Sequence, residues 1–359
     1  MSDVVVIGAG VIGMMTARDL ALRGARVTLL ERGCAGEESS WAGGGILSAL
    51  IPWRAAEEIN QLIVWGHDRY PQLAQVLSEE TGIDVQWCQS GMGVLVSDTI
   101  DAIAWSQRFG LQVETLTSEQ AASQMTGIVF SDDAQSMVYL PEVAQLRNPR
   151  LVEALLSSLD GLGVTVYEHC PVKSIERSAV RITAVKAADA TFSADSVVVA
   201  AGAWAAQLVP ELLQKGIKPM RGEMVLYKAE PGLLSSIIVT EDGYLIPRKD
   251  GHILCGSTVD DVEFDCSTTK EALARLSLRA ERLLPSLKTV PIVGHWAGLR
   301  PGSSTGIPII GRSIEQDNLF VNCGHFRNGI AMAPASAQLM ADLVEGVEPS
   351  ISSEPYALV

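Results

Sequence analysis

The chain opens with Val4-Val5-Val6-Ile7 running directly into Gly8-Ala9-Gly10-Val11-Ile12-Gly13, and the fold class turns on how that stretch is read. Four apolar residues followed by glycines spaced G-x-G-x-x-G describe a strand, a tight turn and the start of a helix. Gly8 suits the turn, Gly10 lets a pyrophosphate approach the backbone, and Gly13 lets the helix lie close to the strand. The helix continues through Ala17, Leu20 and Ala21 on one face, with Arg23 in its last turn and Gly24 as its stop. Its N-terminus offers free N–H groups and a positive dipole end to a diphosphate. Arg26 to Leu30 is the next strand, and Glu31 stands at its end, where a carboxylate can accept from a ribose diol. Strand, helix and acid at this spacing predict dinucleotide binding rather than an ordinary glycine turn.

Composition narrows the remainder. A chain of 359 residues with 47% apolar and 19% charged residues can bury a sizeable core in one large or two moderate domains. The net charge of -15 argues against nucleic acid or an anionic membrane surface as partner, because both attract clustered cations. No stretch reaches the roughly 18 apolar residues of a membrane span. The first strand begins at residue 3 with no basic and apolar leader before it, so a cytoplasmic location is expected. Cys34, Cys88, Cys170, Cys255, Cys266 and Cys323 are scattered, which suits reduced thiols. The five histidines share no ligand spacing, so no metal site is expected.

Beyond Glu31 and Arg32, the run Ser39-Ser40-Trp41-Ala42-Gly43-Gly44-Gly45 suits a loop that passes very close to a ligand. Helices are predicted over 55–66 and 68–81. Short strands over 85–88, 93–96, 113–116 and 137–140 then alternate with helices over 99–109 and 118–125, an antiparallel α+β character. From Asn148 the opening character returns: a helix over 149–161, strands over 164–168, 172–176 and 180–187, and Ser196 to Ala201 delivered into Gly202-Ala203-Trp204. A fully apolar strand ending in small residues is how a central parallel strand meets a ligand. Strands over 223–228, 237–241, 244–248 and 252–258 and a helix over 270–284 follow. The end of the chain reads as a strand over 319–323, a glycine-bounded loop to Gly329, and a helix from about Ile330 whose first turn holds Pro334. Segments 1–82, 142–217 and 302–359 are thus predicted to form one discontinuous domain, and 83–141 with 218–301 a second, inserted one. Gly302-Ser303-Ser304-Thr305-Gly306 matches a hydrolase elbow by letter only, since an extended run follows it.

Taken together, Gly8 to Gly13 with Glu31, the Ser39 to Gly45 loop, the Val197 to Trp204 strand and turn, and Gly324-His325-Phe326-Arg327-Asn328-Gly329-Ile330 resemble the D-amino-acid oxidase family of FAD enzymes. The resemblance covers essentially the whole chain. Gly243-Tyr244-Leu245-Ile246-Pro247-Arg248 and Gly298-Leu299-Arg300-Pro301 look most like its glycine-oxidising bacterial branch, which serves thiamine biosynthesis. The fold implied is α/β: a Rossmann-like, glutathione-reductase-type FAD domain with an inserted antiparallel α+β substrate domain. The cofactor set implied is Gly8, Gly10, Val11, Ile12, Gly13, Glu31, Arg32, Ser39, Ser40, Ala42, Gly43, Gly44, Gly45, Val172, Ala201, Gly202, Trp204 and His325 to Ile330. Covalent attachment in sarcosine-oxidising members uses a cysteine before the last cofactor segment. Arg300 to Gly306 has none, so noncovalent FAD is expected, with Cys323 as a core thiol.

The activity implied is hydride transfer from Cα of a small amino acid to flavin N5, reoxidation by molecular oxygen to hydrogen peroxide, and hydrolysis of the imine to glyoxylate and ammonia. Arg300 is the candidate carboxylate anchor, because its planar fork binds two oxygens and stays charged. Tyr244 can add its hydroxyl, and Ile46 to Ala49 with Met224 can shape a small pocket. Arg327, in the loop expected over the flavin, either assists the substrate or pairs with Asn148 or a surface carboxylate. The helix from Gly329 or Ile330 can stabilise charge on the reduced ring. No side-chain base is needed, and activity should rise with pH as the amine becomes neutral. The other readings are a dehydrogenase for D-amino acids or N-methylated amines, and a flavin-binding protein without turnover. Homo-oligomers are compatible with the family.

Overall fold

Residues Asp3–Ile7 form strand β1, Val11–Leu22 helix α1 and Arg26–Leu30 strand β2. In the computed structural model, which describes residues 3–95, 99–125, 127–129 and 136–358, these three elements nucleate a six-stranded sheet. β1 pairs in parallel with β2 on one side, Asp3 opposite Arg26, and with Ser196–Val199 on the other, Val4 opposite Ser196. The sheet continues through Leu319–Cys323 to Ile309–Arg312 at one edge and ends at Thr165–Tyr167 at the other. Only the pair Ile309–Arg312 with Leu319–Cys323 is antiparallel. Both faces of this sheet are covered, so its central strands are apolar throughout rather than alternating: Val4, Val5, Val6, Val197, Val198 and Val199 are all buried. Each such side chain removed from water contributes about 1.5–3 kcal/mol.

The turn after β1 has no room to spare. Gly8 has φ +105°, and a Cβ there would stand 2.5 Å from the Ala200 carbonyl oxygen. α1 ends where Gly24 takes φ +91°.

The final helix, Gly329–Glu345, corrects one expectation: Pro334 lies in its second turn, not its first. A proline there has no N–H for the Ile330 carbonyl. The Tyr70 hydroxyl donates to that carbonyl instead, from a fully buried ring at the start of helix Tyr70–Thr81.

A second, eight-stranded sheet has the order Ile292–Gly302, Lys218–Lys228, His252–Gly256, Gly243–Pro247, Ile237–Thr240, Met92–Val94, Ser136–Leu140, Glu114–Thr117. It is antiparallel except where Ile237–Thr240 runs parallel to Met92–Val94. Those two strands come from separate passages of the chain, so no hairpin dictates their direction. The chain is therefore α/β, with a mainly parallel first sheet and a mixed, mainly antiparallel second sheet.

Other expectations shift in detail. The edge strand Ile292–Gly302 has no counterpart in the sequence reading, because Gly294, Gly298 and Pro301 disguise it. Its partner starts at Lys218, five residues earlier than expected. Residues 85–87 are not strand: Gln86 has φ 57°, its N–H donating to Asp84, and pairing begins only at Cys88–Gln89. Ser39–Ala42 is a short helix rather than loop. The end of the strand expected over 93–96 lies outside the described residues at Val96.

Candidate active site

Between the two sheets runs a cavity of about 400 Å³, from the glycine turn of β1 to Arg300, within the size range of small-molecule and cofactor sites. Every residue of the implied cofactor set lines it except Gly13, and so do Tyr244 and Arg300. Gly13 serves packing instead: a Cβ there would stand 1.8 Å from the Gly8 carbonyl oxygen.

At the α1 end, the Val11 N–H donates to Ser40 Oγ at 2.9 Å, so Ser40 occupies one of the free helix donors. The Glu31 carboxylate also braces the turn, accepting from the Ala9 N–H at 2.8 Å and the Gly33 N–H at 2.9 Å. A carboxylate has about four acceptor sites, so capacity for a diol remains. Arg32 pairs with Glu38 and lays its guanidinium over the Trp204 ring at 3.5 Å. Trp204 in turn meets Phe264, from the other half of the molecule, at 5.4 Å.

The 39–45 segment is held from behind by its carbonyls. Ser40 O accepts from Asn148 Nδ2 at 2.8 Å, Ala42 O from Trp296 Nε1 at 3.0 Å, Gly44 O from Arg248 Nη2 at 2.8 Å, and Gly45 O from the Leu146 N–H at 3.0 Å. Arg248 donates further to Gln145 Oε1 and Leu146 O, and burial pulls its pKa down to about 10. Gly45 is obligatory: φ is +73°, and a Cβ would lie 2.1 Å from Leu146 O.

At the far end, Arg300 Nη2 donates to Ser257 Oγ at 2.8 Å and Nη1 to Thr258 O at 3.1 Å. Its guanidinium lies across Gly222, where a Cβ would come within 2.0 Å of Nη1. Burial lowers the Arg300 pKa, an effect the nearby Tyr244 opposes and Arg327 reinforces. Tyr244 is buried and donates its hydroxyl to Met224 Sδ at 3.3 Å; both pack over Gly256. Ile46, Ser48, Leu50 and Met224 line this end, whereas Leu47 and Ala49 turn into the core.

The closing loop joins the two ends. The Phe326 N–H donates to Pro301 O at 2.9 Å, linking it to the strand of Arg300. Arg327 is exposed, 5.5 Å from the Phe326 ring, and has no ion-pair partner among the described residues. Asn148, engaged with Ser40, does not pair with it. Cys323 is buried at the cavity wall, its thiol pushed up to about 12 by burial.

His325 points away from solvent to Ser336 Oγ at 3.0 Å, and burial pushes its pKa down to about 3. In the unfolded chain the ring titrates near 6.5, so below about pH 6.5 the unfolded state binds the extra proton. Stability from this residue is complete above that pH and declines by about 1.4 kcal/mol per pH unit as pH falls. His325→Gln is expected to flatten the acid limb by that slope in urea unfolding between about pH 7 and 4. An unaltered limb would assign it to other groups.

The family described as FAD dependent oxidoreductase (DAO) matches residues 3–343. The chain belongs to that family. It is similar to a glycine oxidase of Pseudomonas putida, 42% identical over 99% of this chain and 98% of that protein. It also resembles the bifunctional protein ThiO/ThiG of Synechocystis, 31% identical over 96% of this chain and 51% of that one. The crystal structure of glycine oxidase from Geobacillus kaustophilus superposes with a TM-score of 0.92 at 29% identity, covering 100% of this chain and 99% of the other.

FAD is thus the cofactor of this FAD-dependent oxidoreductase, and its residues suit that group. Gly10, Gly44, Gly45 and Gly298 line the cavity as bare backbone, with a helix N-terminus and a buried acid at one end. Sequence reasoning missed Gly222, Ser257, Thr258, Arg248 and Trp296. Only the Gly222–Gly298 register pair left a signal, as glycines at facing positions of two strands. Among the described residues no helix is long and apolar enough to cross a membrane.

Proposed function

We propose that this enzyme oxidises glycine and small amines such as sarcosine and D-alanine, with oxygen as electron acceptor. The observation that carries this is the half-buried Arg300 guanidinium at the far end of the cavity, beside Tyr244 and Met224. An arginine presents five N–H donors. Two are spent on Ser257 and Thr258, which leaves donors for a carboxylate. Tyr244 adds its hydroxyl once it leaves Met224, and the exposed Arg327 supplies a second positive charge at the mouth. FAD, when bound, supplies two-electron oxidation of the substrate C–N bond.

In this reading FAD is held noncovalently by the residues named from the sequence, within a domain of segments 1–82, 142–217 and 302–359. Segments 83–141 and 218–301 bind the substrate. Each turnover removes two electrons and two protons from the amino acid. Glycine gives an imine that water converts to glyoxylate and ammonia, while oxygen becomes hydrogen peroxide. The similarity to a bifunctional protein supports delivery of the imine to a thiazole-forming partner in thiamine biosynthesis.

The test is anaerobic mixing of the yellow protein with glycine, sarcosine, D-alanine and D-proline, followed by air. Bleaching by glycine, faster as pH rises through the titration of its amine, and peroxide on readmission of air are expected. Bleaching by D-proline alone, or no recovery in air, would move the function to another amine oxidase or a dehydrogenase.

A further inference from the structure

Residues 218–228 and 292–302 alternate between two faces of one sheet. Gly222, Met224, Gly298 and Arg300 face the cavity, so Glu223, which lies between Gly222 and Met224, faces the rear. Glu223 is a fully buried carboxylate. It accepts from the Thr269 N–H at 2.9 Å, the Thr269 hydroxyl at 3.0 Å and His295 Nε2 at 2.8 Å, with Arg221 Nε 3.9 Å away. A buried charge with three donors is expensive to assemble and firm once assembled.

What it fastens is segment 257–269, which passes from the front of the sheet to the rear. At the rear, Thr269 also caps helix Lys270–Leu283 through the Ala272 N–H. Midway, Arg221 and Asp260 exchange backbone hydrogen bonds at 2.9 Å, and Arg221 Nη1 donates to Asp265. At the front, the Glu223 N–H donates to Thr258 Oγ1 at 3.0 Å, while the carbonyl of the same Thr258 receives Arg300. Glu223 therefore touches both ends of the segment that supplies both acceptors of the Arg300 guanidinium.

We propose that Glu223 is a positioning residue for the carboxylate anchor, fixing segment 257–269 so that Ser257 and Thr258 hold Arg300 flat across Gly222. The inference rests on the reading of Arg300 given above. It does not involve Glu223 in contact with substrate, so it affects binding more than turnover at saturation.

The test compares FAD-loaded parent, Glu223→Leu, Glu223→Gln and Arg300→Met. Acetate, the substrate carboxylate without its amine, is titrated against the visible band of bound FAD, alongside steady-state kinetics with glycine. Glu223→Leu is expected to weaken acetate and raise KM by about tenfold, with kcat changed less than about threefold. Glu223→Gln keeps an oxygen for the Thr269 N–H and can donate to the Thr269 hydroxyl, so it should bind acetate within about threefold of the parent. Parent-like acetate binding by Glu223→Leu, with binding lost in Arg300→Met, overturns the proposal alone. Binding retained by Arg300→Met overturns the anchor itself. Glutamine as weak as leucine overturns positioning in favour of charge. Should Glu223→Leu not fold, Thr269→Val, which deletes the hydroxyl that donates to the Glu223 carboxylate and keeps the Thr269 N–H, decides on the same acetate titration, and parent-like binding again overturns the proposal.

Discussion

Arg300→Met is expected to fold, to bind FAD, and to lose about two to three orders of magnitude in kcat/KM for glycine. The substitution preserves the apolar stem and removes the guanidinium, and it leaves Ser257 Oγ and Thr258 O without the donors they have at 2.8 and 3.1 Å. Ser257 lines the cavity, where water can take the place of the lost donor, so the fold should survive. The substrate carboxylate has no such replacement: truncating one partner of a buried, hydrogen-bonded charge pair costs about 2–5 kcal/mol. Arg300→Lys should recover little of this, because an ammonium is a point charge that cannot serve Ser257, Thr258 and two carboxylate oxygens together. Peroxide release across a glycine concentration series, normalised to bound flavin, measures the effect. A kcat/KM within about fivefold of the parent would falsify the anchor role.

What could be read in the chain and what could not divide along sequence distance. The β1 turn, α1 and Glu31 are legible because their chemistry lies within one local unit, and the hydrogen bonds from Ala9 and Gly33 to Glu31 span 22 and 2 residues. The run from Ser39 to Gly45 is legible for the same reason, as glycines where side chains would collide. Its support is not: Asn148, Arg248 and Trp296 reach it from 108, 204 and 254 residues away. Tyr244 and Arg300 stand out by resemblance to a family, whereas no local pattern marks Gly222 as the residue under the guanidinium. That follows from strand register, which pairs Gly222 with Gly298 across a strand whose glycines and proline conceal its period. The misplaced Pro334 has a similar origin, since a hydroxyl from Tyr70, 260 residues away, satisfies the carbonyl that the proline leaves open.

Gly13→Ala should show the largest effect of any single methyl group in the molecule. A Cβ at this position stands 1.8 Å from Gly8 O and 3.4 Å from the Ala200 side chain. The first of these is backbone, and it cannot rotate away. Gly8 cannot retreat either, because its own position is 2.5 Å in Cβ terms from Ala200 O, on the neighbouring strand. Relief requires α1 to lift from β1, which moves Val11 away from Ser40 and the helix N-terminus away from the cavity. Overpacking of a well-filled site costs about 1–3 kcal/mol, and more where backbone must shift. Gly24→Ala supplies the contrast at the other end of the same helix. Its φ is +91° but nothing lies within 4 Å of the added carbon, so the cost is backbone strain of about 1–2 kcal/mol, far from the cofactor. Thermal unfolding and fluorescence titration of the two apoproteins with FAD separate these cases. Gly24→Ala should lose stability and keep parent-like FAD affinity, whereas Gly13→Ala should lose both, with FAD affinity down about a hundredfold or more, because the turn that packs the helix is also the turn that receives the diphosphate.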